Sequence, residues 1–82
     1  MELKDTIELM NSDDFKERFR AEYLQIKIRY NKLHKLIIQL EAGTAPFEPK
    51  CSLELFKKQA SFMGQYLYYL EVRAEIEGVD LE

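Results

Sequence analysis

The chain has one cysteine, one histidine, no tryptophan, three glycines and two prolines among 82 residues. A single cysteine, Cys51, cannot close an internal disulfide, and Cys51 with His34 is too little for a structural zinc site. One domain of this size buries a modest core, which disulfides, a metal or oligomerisation commonly supplements. With the first two excluded, the expectation is a homo-oligomer without metal or cofactor. No apolar run approaches the roughly 18 residues of a membrane span, and the opening MELKDTIELM has no signal-peptide core. The chain therefore reads as a soluble intracellular protein of a reducing compartment, with no membrane partner.

Enzyme signatures are also missing. The glycines are scattered at 43, 64 and 78, so no phosphate-cradling loop forms, and there is no HExxH, CxxC or nucleophile elbow. Cys51 precedes Ser52 at a helix start, where a thiolate can be favoured. No base accompanies it, and it reads as a small residue beside a cap. The expectation is a protein that is not an enzyme and has no catalytic residues.

What is present is helical periodicity. Residues 2–10 place Leu3, Ile7 and Met10 on one face of a short helix that needs the main body to persist. Ser12 then offers an N-cap, with Asp13 and Asp14 where a helix dipole favours negative charge. From about 13 to 42 a stripe of Phe19, Tyr23, Ile26, Tyr30, Leu33, Ile37 and Leu40 steps by four and three. Such a helix is roughly 45 Å long. Leu24 and Ile28 fall on its opposite side, beside Ala21, and hint at a second contact. Gly43 ends it, and Pro46 and Pro49 make residues 43–52 a loop, with the Phe47 ring expected over the helix ends. Ser52 caps a last helix, about 53–77, which Gly78 stops, and Val79 and Leu81 are placed to fold back. Two long helices joined by a short loop pack antiparallel. The fold class is all-α, a two-helix hairpin with a short N-terminal helix, assembled as a homo-oligomeric bundle from a single domain of residues 1–82.

The last helix carries two apolar seams. Phe56, Ala60, Met63, Leu67, Leu70 and Ala74 match the first long helix in step and length. Leu55, Gln59, Phe62, Tyr66, Tyr69, Arg73 and Ile76 run about a third of a turn away and have no partner within the chain. Tyr and Arg are enriched at interface hot spots, and they also stack on nucleobases and contact phosphate. The seam thus fits either a protein partner or a ligand pocket at such an interface. Gly64 in mid-helix fits a close helix approach or simple tolerance at an exposed position.

The net charge of −3 conceals a gradient. Residues 1–14 sum to −4, residues 16–35 to +5 and residues 71–82 to −4. That balance argues against general nucleic-acid binding. A basic middle between acidic ends suits a local anion or the acidic end of another copy. Arg20 and Lys27 lie on one flank of the first long helix, and solvated surface is the plain alternative for them.

The runs Asn11–Phe19, Ala21–Tyr23, Arg29–Leu33, Glu41–Thr44, Met63–Leu67 and Leu70–Gly78 resemble a family of small proteins of bacteriophages and prophages of gut bacteria, named after a gene of a crAss-like phage. That resemblance spans nearly the whole chain and brings no catalytic residues. A looser similarity, in size and helical design, is to the helical hairpin of phage proteins that sequester cyclic-nucleotide immune signals between subunits. It implies a non-enzymatic phage protein in the host cytoplasm that counters antiviral defence by binding a cyclic nucleotide or another small anion. No residue-level motif ties the chain to those pockets, so the site residues rest on the seam. Tyr66, Tyr69, Arg73 and Gln59, with Arg20 and Lys27 from a neighbour, are the ligand-binding candidates. Leu55, Phe62, Tyr66, Tyr69, Ile76, Leu24 and Ile28 are the candidate oligomer interface. The alternatives are an inhibitor or adaptor gripping a protein helix with the same seam, and a purely structural oligomer.

Overall fold

A computed structural model describes residues 2–81, and these contain helices and no strand. A 3₁₀ turn, Leu3–Thr6, runs into a single α-helical turn, α1 (Ile7–Met10). Two long helices follow, α2 (Phe15–Ala42) and α3 (Leu53–Glu77). The all-α class expected from periodicity is the class observed.

The cap of α2 differs from expectation. Asp14, in extended conformation, accepts from the Lys16 amide through its side chain, while Ser12 Oγ accepts from the Asp14 amide. Ser12 therefore shapes the turn before the helix, and the carboxylate one step from the first helical residue takes the cap. α3 is capped by Ser52, whose side chain accepts from the Leu55 amide. Gly43 and Gly78 close the two helices at φ 76° and 70°, in the left-handed region where a side chain would be strained.

α2 and α3 pack along one seam, and their contacts fall in opposite chain order. Arg73 lies over Phe19, Glu71 accepts from Tyr23, Tyr66 donates to Glu22, and Lys57 pairs with Glu41. Between these polar contacts lie the buried side chains Phe19, Ile37, Leu67, Leu70 and Ala74. Past Gly78 the chain turns, and Val79 joins the cluster of Phe19, Leu70 and Ala74 while Leu81 and Tyr23 pack at its edge. Fully burying one large apolar side chain is worth about 1.5–3 kcal/mol, so this end of the seam is the strongest part of the fold.

The N-terminal segment lies on the other side of α2. It turns Leu3, Thr6 and Leu9 inward and leaves Ile7 and Met10 about half exposed. The expected face of Leu3, Ile7 and Met10 is thus replaced, because the opening turn is 3₁₀ and repeats every three residues instead of 3.6. Thr6 is fully buried and its hydroxyl meets the Leu3 carbonyl at 2.7 Å and the Gln25 amide at 3.1 Å. Ala21 is buried with it, so part of the second contact expected near Leu24 and Ile28 is made inside the chain. Phe47 is a further correction: the chain bends at Pro46 and Phe47, Ala45 and Pro49 are half-buried, and the Phe47 ring stays 58% exposed.

Gly64 faces the Tyr30 ring, and a Cβ built there would meet Tyr30 Cε1 at 3.6 Å, an ordinary contact. The seam does not require glycine at this position. Gly64→Ala should therefore raise stability by up to about 1 kcal/mol through helix propensity, read as a higher urea midpoint. Leu70→Ala should lower it by about 2–5 kcal/mol, because it empties a fully buried position.

Candidate functional site

The second seam of α3 faces outward. Leu55, Gln59, Phe62, Tyr66, Tyr69, Arg73 and Ile76 are all exposed, with Phe62 at 70% and Ile76 at 78%. Tyr68 and Val72, further round the same helix, are exposed as well, and the Tyr68 and Tyr69 rings meet edge to face at 5.4 Å between centroids. The helical pitch produces this: positions about 60–160° from the core seam turn away from α2, and the long side chains of Tyr66 and Arg73 reach back to it at their tips. The result is a ridge of aromatic and aliphatic side chains with polar tips.

Those tips are not unengaged. The Tyr66 hydroxyl donates to Glu22 of α2. That hydrogen bond, then partial burial, then the carboxylate's charge, raise the Tyr66 pKa above its ordinary 10.0, against the opposing pull of Arg73. Arg73 sits with its guanidinium 4.9 Å from the Phe19 ring centroid and its Nε 3.4 Å from Glu77. Glu22 and Glu77 thus stand beside the two groups best suited to phosphate. An anion arriving here in one chain has to displace carboxylates before it gains a cation.

The other candidates lie elsewhere. Arg20 and Lys27 fall about 80–100° to the far side of the α2 stripe, the side marked by the Tyr23–Glu71 hydrogen bond rather than by Tyr66 and Glu22. Both are half-buried, and Arg20 Nε is shut off from solvent without an acceptor. A single chain therefore brings Gln59, Tyr66, Tyr69 and Arg73 onto one ridge and keeps Arg20 and Lys27 away from it. Leu24 and Ile28 are half-buried and line a depression on the outer face of α2. His34 is exposed and stacks on Tyr30 with centroids 5.9 Å apart, and Cys51 is exposed in the loop.

The larger cavity, about 650 Å³, is lined by Tyr23, Glu71, Ala74, Glu75, Gly78, Val79, Asp80 and Leu81. Its three carboxylates make it hostile to an anion. Sequence reasoning placed Val79 and Leu81 near this corner but did not find the cavity. It depends on the reversal at Gly78, and the acid spacing of the helix alone does not reveal that. Glu22 was missed as well. Its signal was its position one residue before Tyr23 on the stripe, within reach of the seam of α3.

Among the described residues, no helix is long and apolar enough to cross a membrane. No curated protein and no solved structure matches the chain. A family model described as Sequestin matches residues 13–76, which include all of α2 and nearly all of α3. The chain belongs to the Sequestin family.

The Tyr66–Glu22 contact has a pH signature. The phenol holds its proton more tightly in the folded chain than in the unfolded one, so its contribution is complete below the ordinary value near 10.0. It is lost as pH rises through the raised folded value. Tyr66→Phe should be less stable than the parent near neutral pH, and the difference should shrink above about pH 10. Urea midpoints of the two proteins across that range check this.

Proposed function

We propose that this Sequestin-family protein is a non-enzymatic phage protein that assembles with copies of itself, sequesters a cyclic-nucleotide signal, and so blunts host antiviral defence from the host cytoplasm. The family's name points to sequestration. The observation that carries the reading is the uncovered ridge of α3, where aromatic faces and a guanidinium stand in one row. Tyr66 and Tyr69 supply stacking surfaces for a base, an interaction worth about 1–3 kcal/mol per base. Gln59 offers an amide to the base edge, and Arg73 meets a phosphate after exchanging its Glu77 contact. Because Glu22 and Glu77 offset Arg73 locally, the remaining positive charge comes from Arg20 and Lys27 of a neighbouring copy. Leu55, Phe62 and Ile76, against Leu24 and Ile28 of that neighbour, exclude water around the ligand.

A second reading is favoured by the exposure of Phe62 and Ile76. Apolar residues recurring along one helix face are how a helix is gripped by a partner protein. In that case the same ridge holds a protein helix, and the polar tips set register.

Calorimetry against a panel of cyclic mono-, di- and trinucleotides tests the first reading, and recovery of every nucleotide unbound would sink it. Tyr69→Ala and Arg73→Ala should each abolish nucleotide binding while light scattering reports an unchanged oligomer. A protein that stays monomeric at micromolar concentration removes the neighbour's Arg20 and Lys27 from the site. Loss of a protein partner in the same variants, with no nucleotide bound by the parent, selects the second reading.

A further inference from the structure

We infer that the outer face of α2 carries a separate site, complete within one chain, for a small phosphate-bearing molecule with an aromatic or apolar body. Leu24, Lys27, Ile28, Asn31 and Lys32 line a depression of about 300 Å³ there. These positions recur at three and four residues, so they share one face of the helix. Leu24 and Ile28, one turn apart and half-buried, make an apolar floor. Lys27 and Lys32 place ammonium groups at its rim, and Asn31 adds an amide that can donate and accept. An apolar floor with a few convergent polar groups is the usual composition of a ligand site, and this volume lies at the lower end of the usual range.

Electrostatics favours this place over the cavity beside Gly78 and the ridge of α3. The cavity beside Gly78 is lined by Glu71, Glu75 and Asp80. The ridge of α3 has Glu22 on Tyr66 and Glu77 on Arg73. The depression on α2 lies in the basic middle of the chain, and Lys35 follows Asn31 and Lys32 by one helical turn. The carboxylate that the structure places on its rim is Glu2, 3.6 Å from Lys32 Nζ, with both side chains 64% exposed. Glu2 belongs to the N-terminal segment, outside the family match at residues 13–76. It therefore acts as a tethered competitor that a phosphate displaces from Lys32. In this site Leu24, Lys27 and Ile28 serve their own chain, and they are the residues that the proposed assembly sets against a neighbour's ridge, so the site is open in a free chain and closed in that assembly.

The test is a titration of the full chain with adenosine 5′-monophosphate, followed by amide resonances, with adenosine and inorganic phosphate as separate arms. The monophosphate should shift amides of residues 24–32 and leave those of 66–73 in place. Either half alone should bind more weakly, since one lacks the phosphate and the other the apolar body. The double variant Lys27→Glu with Lys32→Glu should lose about tenfold in affinity or more while its amide dispersion shows an intact fold. Glu2→Gln should bind about twofold to threefold tighter. Tyr69→Ala and Arg73→Ala should leave this binding unchanged, which separates its failure from that of the α3 reading. Shifts confined to 66–73, or affinity indifferent to the two lysine changes, would overturn the site. Equal binding of phosphate alone would overturn the ligand class, and an unchanged affinity in Glu2→Gln would overturn the competitor role.

Discussion

Phe19, Leu70, Ala74 and Val79 close on one another at the end of the α2–α3 seam, and the rest of the molecule is arranged by that closure. The seam is one side chain deep. α2 and α3 are 28 and 25 residues long, so each can bury only the narrow stripe that faces the other. Small residues at the contact, Ala74 on α3 above all, let the backbones approach, and Phe19 fills the width between them. Once that stripe is used, α3 packs on no other helix among the described residues, and its Tyr/Arg row is left largely exposed, tied to α2 only at the tips of Tyr66 and Arg73.

The polar groups around the seam decide what each surface can do. Three of the contacts that lock the helices laterally place a carboxylate: Glu22 under Tyr66, Glu71 under Tyr23, Glu41 with Lys57. Those acids belong to the fold, yet they set the sign of the surfaces beside them. The middle of α2 away from the seam escapes this, and there the exposed acid Glu2 is set against Lys32. Charge segregation follows from which groups the packing consumes.

Much of this was legible in periodicity. The two seams of α3 separate in the structure as their spacing requires, with Leu67, Leu70 and Ala74 buried and Phe62, Tyr69 and Ile76 outward. Val79 folds back because an apolar residue after a left-handed glycine returns to the helix it has just left. The misses share a cause: each depended on a local choice that periodicity does not encode. Asp14 and Ser12 are both good caps, and the choice between them follows the turn geometry. The opening segment chose a threefold repeat, which moved Thr6 inward and Ile7 out. Phe47 followed the bend of its own loop. The candidate residues were named as one set, but Arg20 and Lys27 lie across the seam from Tyr66 and Arg73, and sidedness across a helix pair appears only once the pair is built.

The outward row of α3 also bears on how such a protein can change. Its side chains share a helix with the core seam, yet apart from Tyr66 and Arg73 they make no contact with α2 that the fold relies on, and substitutions at exposed positions of this kind usually shift stability by less than about 0.5 kcal/mol. The outward row and the core seam therefore occupy interleaved positions of the same helix with little coupling at most of them. One row can change while the other row keeps the fold. For a protein of 82 residues, that separation leaves the outward surface open to rapid divergence.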